Sequence, residues 1–305
     1  MPIGMIDTTT DTGFKLIIPK SFGGHYIINK SVISGSTCSM VLATDTNTNE
    51  TVAVKIMSKK DSNASNKIDK EINILNKISN KCPNIIKIFD VFEIDDLVLL
   101  VMEYCQNGDL YEAITSGSLN TVSLKKRIMK GILNGISFLH EECNIAHGDV
   151  KAENVVLDKN FEPKIIDFGN AKEYEIGDDS EKDGTLLYAS PELLTEGCLY
   201  DTKKADIYAL GILMTTLFTG HFPFYSLADN SVIEQILSHT FSYPRSMNQN
   251  LKSIMVKCTQ FNPANRPNID EVLHYSWFNT TPSAQKQKTV THEKNFQSSL
   301  TEIRG

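Results

Sequence analysis

The run His147-Gly148-Asp149-Val150-Lys151-Ala152-Glu153-Asn154, followed thirteen residues after its Asn by Asp167-Phe168-Gly169, decides how this chain is read. These residue types suit the transfer of a phosphoryl group. Such a reaction needs a carboxylate that orients an attacking hydroxyl and accepts its proton. It also needs oxygen ligands for a hard cation bridging the phosphates, and an amine near the transferring group. Asp149 fits the first role, Asn154 and Asp167 the second, and Lys151 the third. The spacing sets two loops side by side, each at the end of a short strand of one hairpin. Taken singly, Asp-Phe-Gly is more often a plain turn, and a His such as His147 is more often a satisfied core residue. The combination carries the reading.

Upstream of this run the pattern is strand-like. Tyr26 to Ile33, Met40 to Thr44 and Thr51 to Met57 are β-rich runs, with Asn47, Thr48 and Asn49 as a hairpin turn between the last two. Ala64 to Ser79 carries Ile68, Ile72, Leu75 and Ile78 at helical spacing, and Pro83 stops further helix. Ile85 to Glu93 and Leu97 to Glu103 read as two more strands. Beyond Asn107-Gly108 the chain turns helical. Ser123 is an N-cap candidate for Leu124 to Glu141, and Ile207 to Phe218 is apolar nearly all round, the pattern of a buried helix. Val232 to Leu237, Leu251 to Cys258 and Ile269 to Leu273 are further helical segments. Short strands near Asn154 to Leu157 and Pro163 to Ile166 interrupt them. The first 24 residues read as an arm, and residues 279–305 as a polar, disordered tail.

Composition narrows the partners. The chain has 305 residues, with 30 basic against 37 acidic side chains. That balance disfavours nucleic acid or an anionic membrane as the main partner, but leaves small phosphates open. No apolar run reaches membrane-spanning length, and Met1 to Thr12 lacks the apolar segment of a secretory signal. The six cysteines are scattered without a C-x-x-C pair, which points to free thiols in a reducing compartment. The expected location is therefore the cytoplasm, with the nucleus open.

At Asp149, Lys151, Asn154, Asp167, Phe168 and Gly169 the sequence resembles the eukaryotic protein kinases, whose signature is H-R-D-x-K-x-x-N then D-F-G. Six such matches coincide by chance about once in 10⁷–10⁸ windows. The resemblance implies an α+β, bilobal fold with a small β-rich lobe carrying one main helix and a larger, mostly α-helical lobe. The domain would span 25–278, with lobes at 25–103 and 108–278 and a hinge at 104–107. Lys55, in Ala53-Val54-Lys55, is similar to the family's phosphate-binding lysine, and Glu71 to its helix partner, though taken alone each reads as an ordinary surface charge. Met102 matches the gatekeeper. The resemblance further implies that backbone groups of Glu103 and Cys105 bind adenine and that Asp109 contacts ribose. Val41, Ala53 and Val156 fit either an adenine sandwich or plain core. Gly184-Thr185, Ser190-Pro191-Glu192, Asp206 and Arg266 match scaffold positions, with Glu192 and Arg266 as a buried pair and Thr185 ordering Asp149 and Lys151. Lys151 at two residues past the base is the serine/threonine pattern. The implied cofactors are ATP and Mg²⁺, the implied partners protein substrates, and the group resembled is the calcium/calmodulin-dependent and AMP-activated one. The tail lacks an aromatic-anchored amphipathic helix, so calmodulin binding is not expected.

Two departures matter. Laid on Ser34-Gly35-Ser36-Thr37-Cys38-Ser39-Met40-Val41, the pattern G-x-G-x-x-G-x-V finds serine at all three glycine positions. Ser34, Gly35 and Ser36 would still face phosphate, with weaker binding expected, and a pseudokinase scaffold is the alternative this leaves open. Gly148 stands where regulated members carry Arg, so activity independent of activation-segment phosphorylation is expected. The acids Glu173, Glu175, Asp178, Asp179, Glu181 and Asp183 are candidates to stand in for a phosphate.

Overall fold

The computed structural model describes residues 5–9, 15–34, 38–60, 62–174, 176–177, 184–195, 197–198 and 200–279. Its first layer is an antiparallel sheet. The strands are β1 (Met5–Thr9), β2 (Lys15–Pro19), β3 (Ser21–Phe22), β4 (Tyr26–Ser34), β5 (Cys38–Asp45), β6 (Glu50–Ser58), β7 (Ile88–Ile94) and β8 (Leu97–Glu103). β1 and β2 form a separate hairpin, and the other six pair in the order β3-β4-β5-β6-β8-β7. The helix α1 (Ser62–Ile78) packs Ile68, Leu75 and Ile78 inward, as its stripe requires.

The unbroken apolar run of β8 follows from burial on both faces. Leu99 and Val101 join one core, while Val98, Leu100 and Met102 join the other, the period-two alternation of a strand. The outer core is closed by Ile18, Phe22 and Tyr26. Residues read from sequence as an irregular arm thus include strands β1 to β3. Their Thr, Gly and Pro content masks two side chains, Ile18 and Phe22, that cover the outer face of the sheet.

The helical lobe contains α2 (Leu110–Thr115), α3 (Val122–Ser137), α4 (Thr202–Thr219), α5 (Asp229–Leu237), α6 (Gln249–Cys258), α7 (Ile269–Leu273) and α8 (Ser276–Asn279). Short strands lie among them: β9 (Ile145–Ala146), β10 (Val155–Leu157), β11 (Pro163–Ile165), β12 (Lys172–Glu173), β13 (Ile176–Gly177) and β14 (Tyr200–Asp201). Thr121, not Ser123, caps α3; its Oγ1 accepts from Leu124 N at 3.2 Å, and Ser123 Oγ donates to that same oxygen. α4 is buried on every side and begins earlier than its apolar run, at an Asp201 cap that accepts Lys204 N at 3.0 Å. The lobes meet where Asn84 O accepts Ile165 N at 2.8 Å and Ile86 N donates to Ile165 O at 3.0 Å. Among the described residues no helix is long and apolar enough to cross a membrane. The tail from residue 280 lies outside the described residues.

Candidate active site

The cleft between the lobes gathers charges from four elements. Lys55 projects from β6, and its Nζ lies 2.8 and 3.1 Å from the two carboxylate oxygens of Glu71 on α1. The same Nζ reaches Asp167 Oδ1 at 3.1 Å. Glu71 is only 5% exposed, so its carboxylate depends on Lys55 for compensation. Partial burial opposes ionisation of Asp167. The charge and hydrogen bond of Lys55, helped by His147 and Lys151, outweigh it and hold the carboxyl below the usual range.

The loop after β9 is fixed by one buried acid. Asp206 on α4 accepts His147 N at 2.7 Å and Gly148 N at 2.9 Å, while His140 Nε2 lies 2.8 Å from its Oδ2. His147 Nε2 lies 3.0 Å from Ile166 O and its ring rests against Phe168, so this loop and the Asp167 loop move as one. Gly148 has φ +77°, and a Cβ there would sit 2.5 Å from Asn170 O, so the position admits only glycine without strain. Asp149 therefore enters the cleft from an anchored backbone. Its Oδ1 accepts Thr185 Oγ1 at 3.0 Å, its Oδ2 lies 2.6 Å from Lys151 Nζ, and Lys151 donates to Thr185 Oγ1 at 2.8 Å. Asn154 Nδ2 donates to Asp149 O and Oδ2 at 2.9 and 3.0 Å, leaving its amide oxygen as the acceptor.

The hinge follows β8. Met102 pairs with Ala53 and Glu103 with Val52 across the sheet. Glu103 N donates to Lys87 O at 3.0 Å, and its carboxylate accepts Lys87 N at 2.9 Å, so this segment is rigid. Among the described residues the Cys105 N–H has no acceptor, whereas Cys105 O accepts Gly108 N. Burial, with the nearby Glu103 charge, pushes the Cys105 thiol up to about 12, so it is no nucleophile at neutral pH. Asp109 bridges to Val156 on β10 and caps α2 by accepting Glu112 N at 2.7 Å.

The structure separates one residue from the expected adenine sandwich. Val41 pairs with Val54 and lies in the outer core, on the face away from Lys55. Met40 and Leu42, opposite Lys55 and Ala53, take the cleft face instead. With Met40 at the pattern's valine, the count back puts Ile33, Gly35 and Cys38 at the three glycine positions. The middle glycine is then retained, and Ser34, Ser36 and Ser39 leave those positions. Residues 35–37, with the expected phosphate contacts of Gly35 and Ser36, lie outside the described residues, as does the Ser34 side chain.

Around the site, Glu192 and Arg266 form a bidentate pair at 2.6 and 2.7 Å. Arg266 also donates to Gln260 O, Lys204 O and Phe261 O, which occupies all five of its N–H groups. Of the candidate acids beyond the Asp-Phe-Gly loop, Glu173 meets Lys77 of α1 at 3.0 Å on the surface. Glu175 and Asp178 to Asp183 lie outside the described residues. Sequence reading missed His140 behind the catalytic loop and Leu42 on the cleft face.

A model of the protein kinase domain matches residues 26–278. The serine/threonine-protein kinase kin-29 of Caenorhabditis elegans is 30% identical over 285 residues, covering 92% of this chain and 34% of that protein. The serine/threonine-protein kinase SIK2 of Gallus gallus is 29% identical over 282 residues, covering 91% and 35%. The chain spans about a third of the length of these curated relatives.

Proposed function

Because the chain belongs to the protein kinase family, we propose that this cleft transfers the γ-phosphoryl group of ATP to serine and threonine hydroxyls of protein substrates. The observation that carries the reading is the closed triangle of Asp149, Lys151 and Thr185 beside Asn154 and Asp167. The names of the two relatives support the serine/threonine class.

Asp149 orients the attacking hydroxyl and accepts its proton, a role worth roughly 10²–10⁴ in rate. Lys151 offsets negative charge on the group in flight, and Thr185 holds both residues at fixed spacing. Lys55, fixed by Glu71, places the α- and β-phosphates. Leu42, Ala53 and Val156 enclose the adenine, and the unpaired Cys105 N–H meets its edge. A pair of hard oxygen donors, Asn154 and Asp167, fits Mg²⁺, which takes few protein ligands and keeps water and phosphate oxygens. Among the described residues no cluster of three or more His, Cys, Asp or Glu offers a denser metal site. The bound ion would neutralise charge building on the phosphates. Burial raises the Glu153 carboxyl above its ordinary range, and a basic substrate side chain arriving beside it favours the charged form.

Activation-segment phosphate has no role through Gly148, which presents no side chain to receive it. Incubation with γ-labelled ATP, Mg²⁺ and a generic protein acceptor, then phosphoamino-acid analysis, tests the proposal. Label on serine and threonine is expected. Label confined to tyrosine, or none, contradicts it.

A further inference from the structure

We propose that Tyr174, Asp201 and Lys203 form a latch that holds the base of the activation segment in place for protein acceptors without a phosphate on that segment. The three are positioning residues outside the cleft, and their effect on acceptors rests on the kinase reading of that cleft. Ordering a surface segment costs conformational entropy, which a phosphate bound to a cation can offset; Gly148 offers no such cation.

The backbone supplies contacts of another kind. Beyond the Asp-Phe-Gly loop, β12 pairs Lys172 with Ala146 and Glu173 with Ile145 of β9. Tyr174 N then donates to Asn144 O at 2.9 Å. Past it, β13 pairs Ile176 with Asp201 and Gly177 with Tyr200 of β14. The first stretch of the segment is thus joined on one side to the strand before the catalytic loop, and on the other to the start of α4. Two-residue strands are marginal alone, so side chains must hold them.

Those side chains converge on the first turn of α4. Tyr174 Oη donates to Asp201 Oδ2 at 3.3 Å, while Asp201 Oδ1 caps α4 by accepting Lys204 N. Lys203 Nζ lies 4.6 Å from the centre of the Tyr174 ring, and it donates to Asn144 Oδ1 at 2.9 Å and to His140 O. Asn144 therefore serves twice: its carbonyl holds the Tyr174 backbone, and its side chain holds the lysine over the Tyr174 ring. Lys172 Nζ lies 5.3 Å from the centre of the Tyr200 ring, which ties β12 to β14 as well. Burial, with the Asp201 charge, pushes the Tyr174 phenol up, so it keeps the proton it donates. The cluster runs on into the catalytic loop, because the His140 ring meets Asp206, the acid that accepts His147 N and Gly148 N. By contrast the Lys77–Glu173 pair is exposed on both sides and adds little.

The test compares the full chain, before and after phosphatase treatment, with Tyr174→Ala and Tyr174→Phe. It measures steady-state transfer to a generic protein acceptor, and hydrogen exchange of the peptides covering residues 171–177 and 198–206. Phosphatase is expected to leave the parent's rate unchanged. Tyr174→Ala is expected to raise KM for the acceptor about tenfold, with KM for ATP within about twofold, and to speed exchange in both peptides about tenfold. Tyr174→Phe keeps the ring beneath Lys203 and loses only the hydroxyl, so its values fall between; it serves if the alanine variant fails to fold. Unchanged acceptor KM or unchanged exchange in the variants, or a parent inactivated by phosphatase, overturns the proposal. A parent inert toward the acceptor contradicts the reading of the cleft instead. Exchange alone then decides the latch: faster exchange in the variants upholds it, and unchanged exchange overturns it.

Discussion

Replacing Asp206 by Asn isolates what the buried carboxylate does for the catalytic loop. Asp206 is 2% exposed and serves three donors, from His147, Gly148 and His140. An amide offers one acceptor oxygen in place of two and turns an NH₂ toward an N–H. His140 can answer by changing tautomer, but at least one backbone N–H of the loop is left stranded without water. Such a group costs about 1–3 kcal/mol, and loss of charge weakens the bonds that remain, so a total of about 2–4 kcal/mol is expected. For a domain of this size that lowers Tm by roughly 5–15 °C. Asp149 is bonded directly to Gly148, so a displacement on the order of 1 Å passes to it and reduces kcat about 10²-fold. KM for ATP should stay within a few-fold, since Lys55, Glu71 and the hinge are untouched. Thermal unfolding and steady-state kinetics with varied ATP measure both halves. A variant with parental Tm and kcat, or one whose only defect is a raised KM for ATP, refutes the reasoning.

Glu192→Gln leaves the Arg266 guanidinium buried without its counter-charge and should cost about 3–5 kcal/mol in urea unfolding; a loss well under about 1 kcal/mol contradicts the pair's role. Gly148→Arg does not install phosphate control. It forces a side chain into the left-handed region against Asn170 O, so stability falls by about 2 kcal/mol or more with kcat, and unchanged stability sinks the steric argument. Asp167, held below the ordinary carboxylate range, contributes stability that is complete above about pH 5 and is lost as pH falls through and below about 4. The Tm gap between the parent and Lys55→Met should therefore narrow as pH drops below about 4, and a gap constant with pH removes the assigned ion pairing.

The site was legible where chemistry and local spacing coincide. Asp149 to Asn154 and Asp167 lie on loops joined by one short hairpin, so a fixed sequence offset becomes a fixed geometry. The Lys55–Glu71 contact was legible only through the resemblance to the protein kinases; strand and helix periods place the two residues on β6 and α1 but do not pair them. Val41 was misplaced for a reason internal to strands: a frame one residue off turns every side chain to the opposite face. Sequence offers no internal check on that frame across a loop, and the pairing of Met40 with Lys55 supplies it. Asp206 and His140 stand 66 residues apart, and neither has a local pattern that announces the other. Thr121 and Ser123 are equally good caps by residue type, and only backbone geometry at Thr121 separates them. The six residues of α2 are too few for a periodic signal.

The most direct measurement pairs calorimetry of MgATP binding with single-turnover transfer of labelled γ-phosphate to a protein acceptor, for the parent chain and for Asp149→Asn. The account predicts saturable nucleotide binding in both and a loss of transfer of about 10²–10⁴ in the variant. Equal transfer by the two proteins, or no heat of nucleotide binding in the parent, contradicts it.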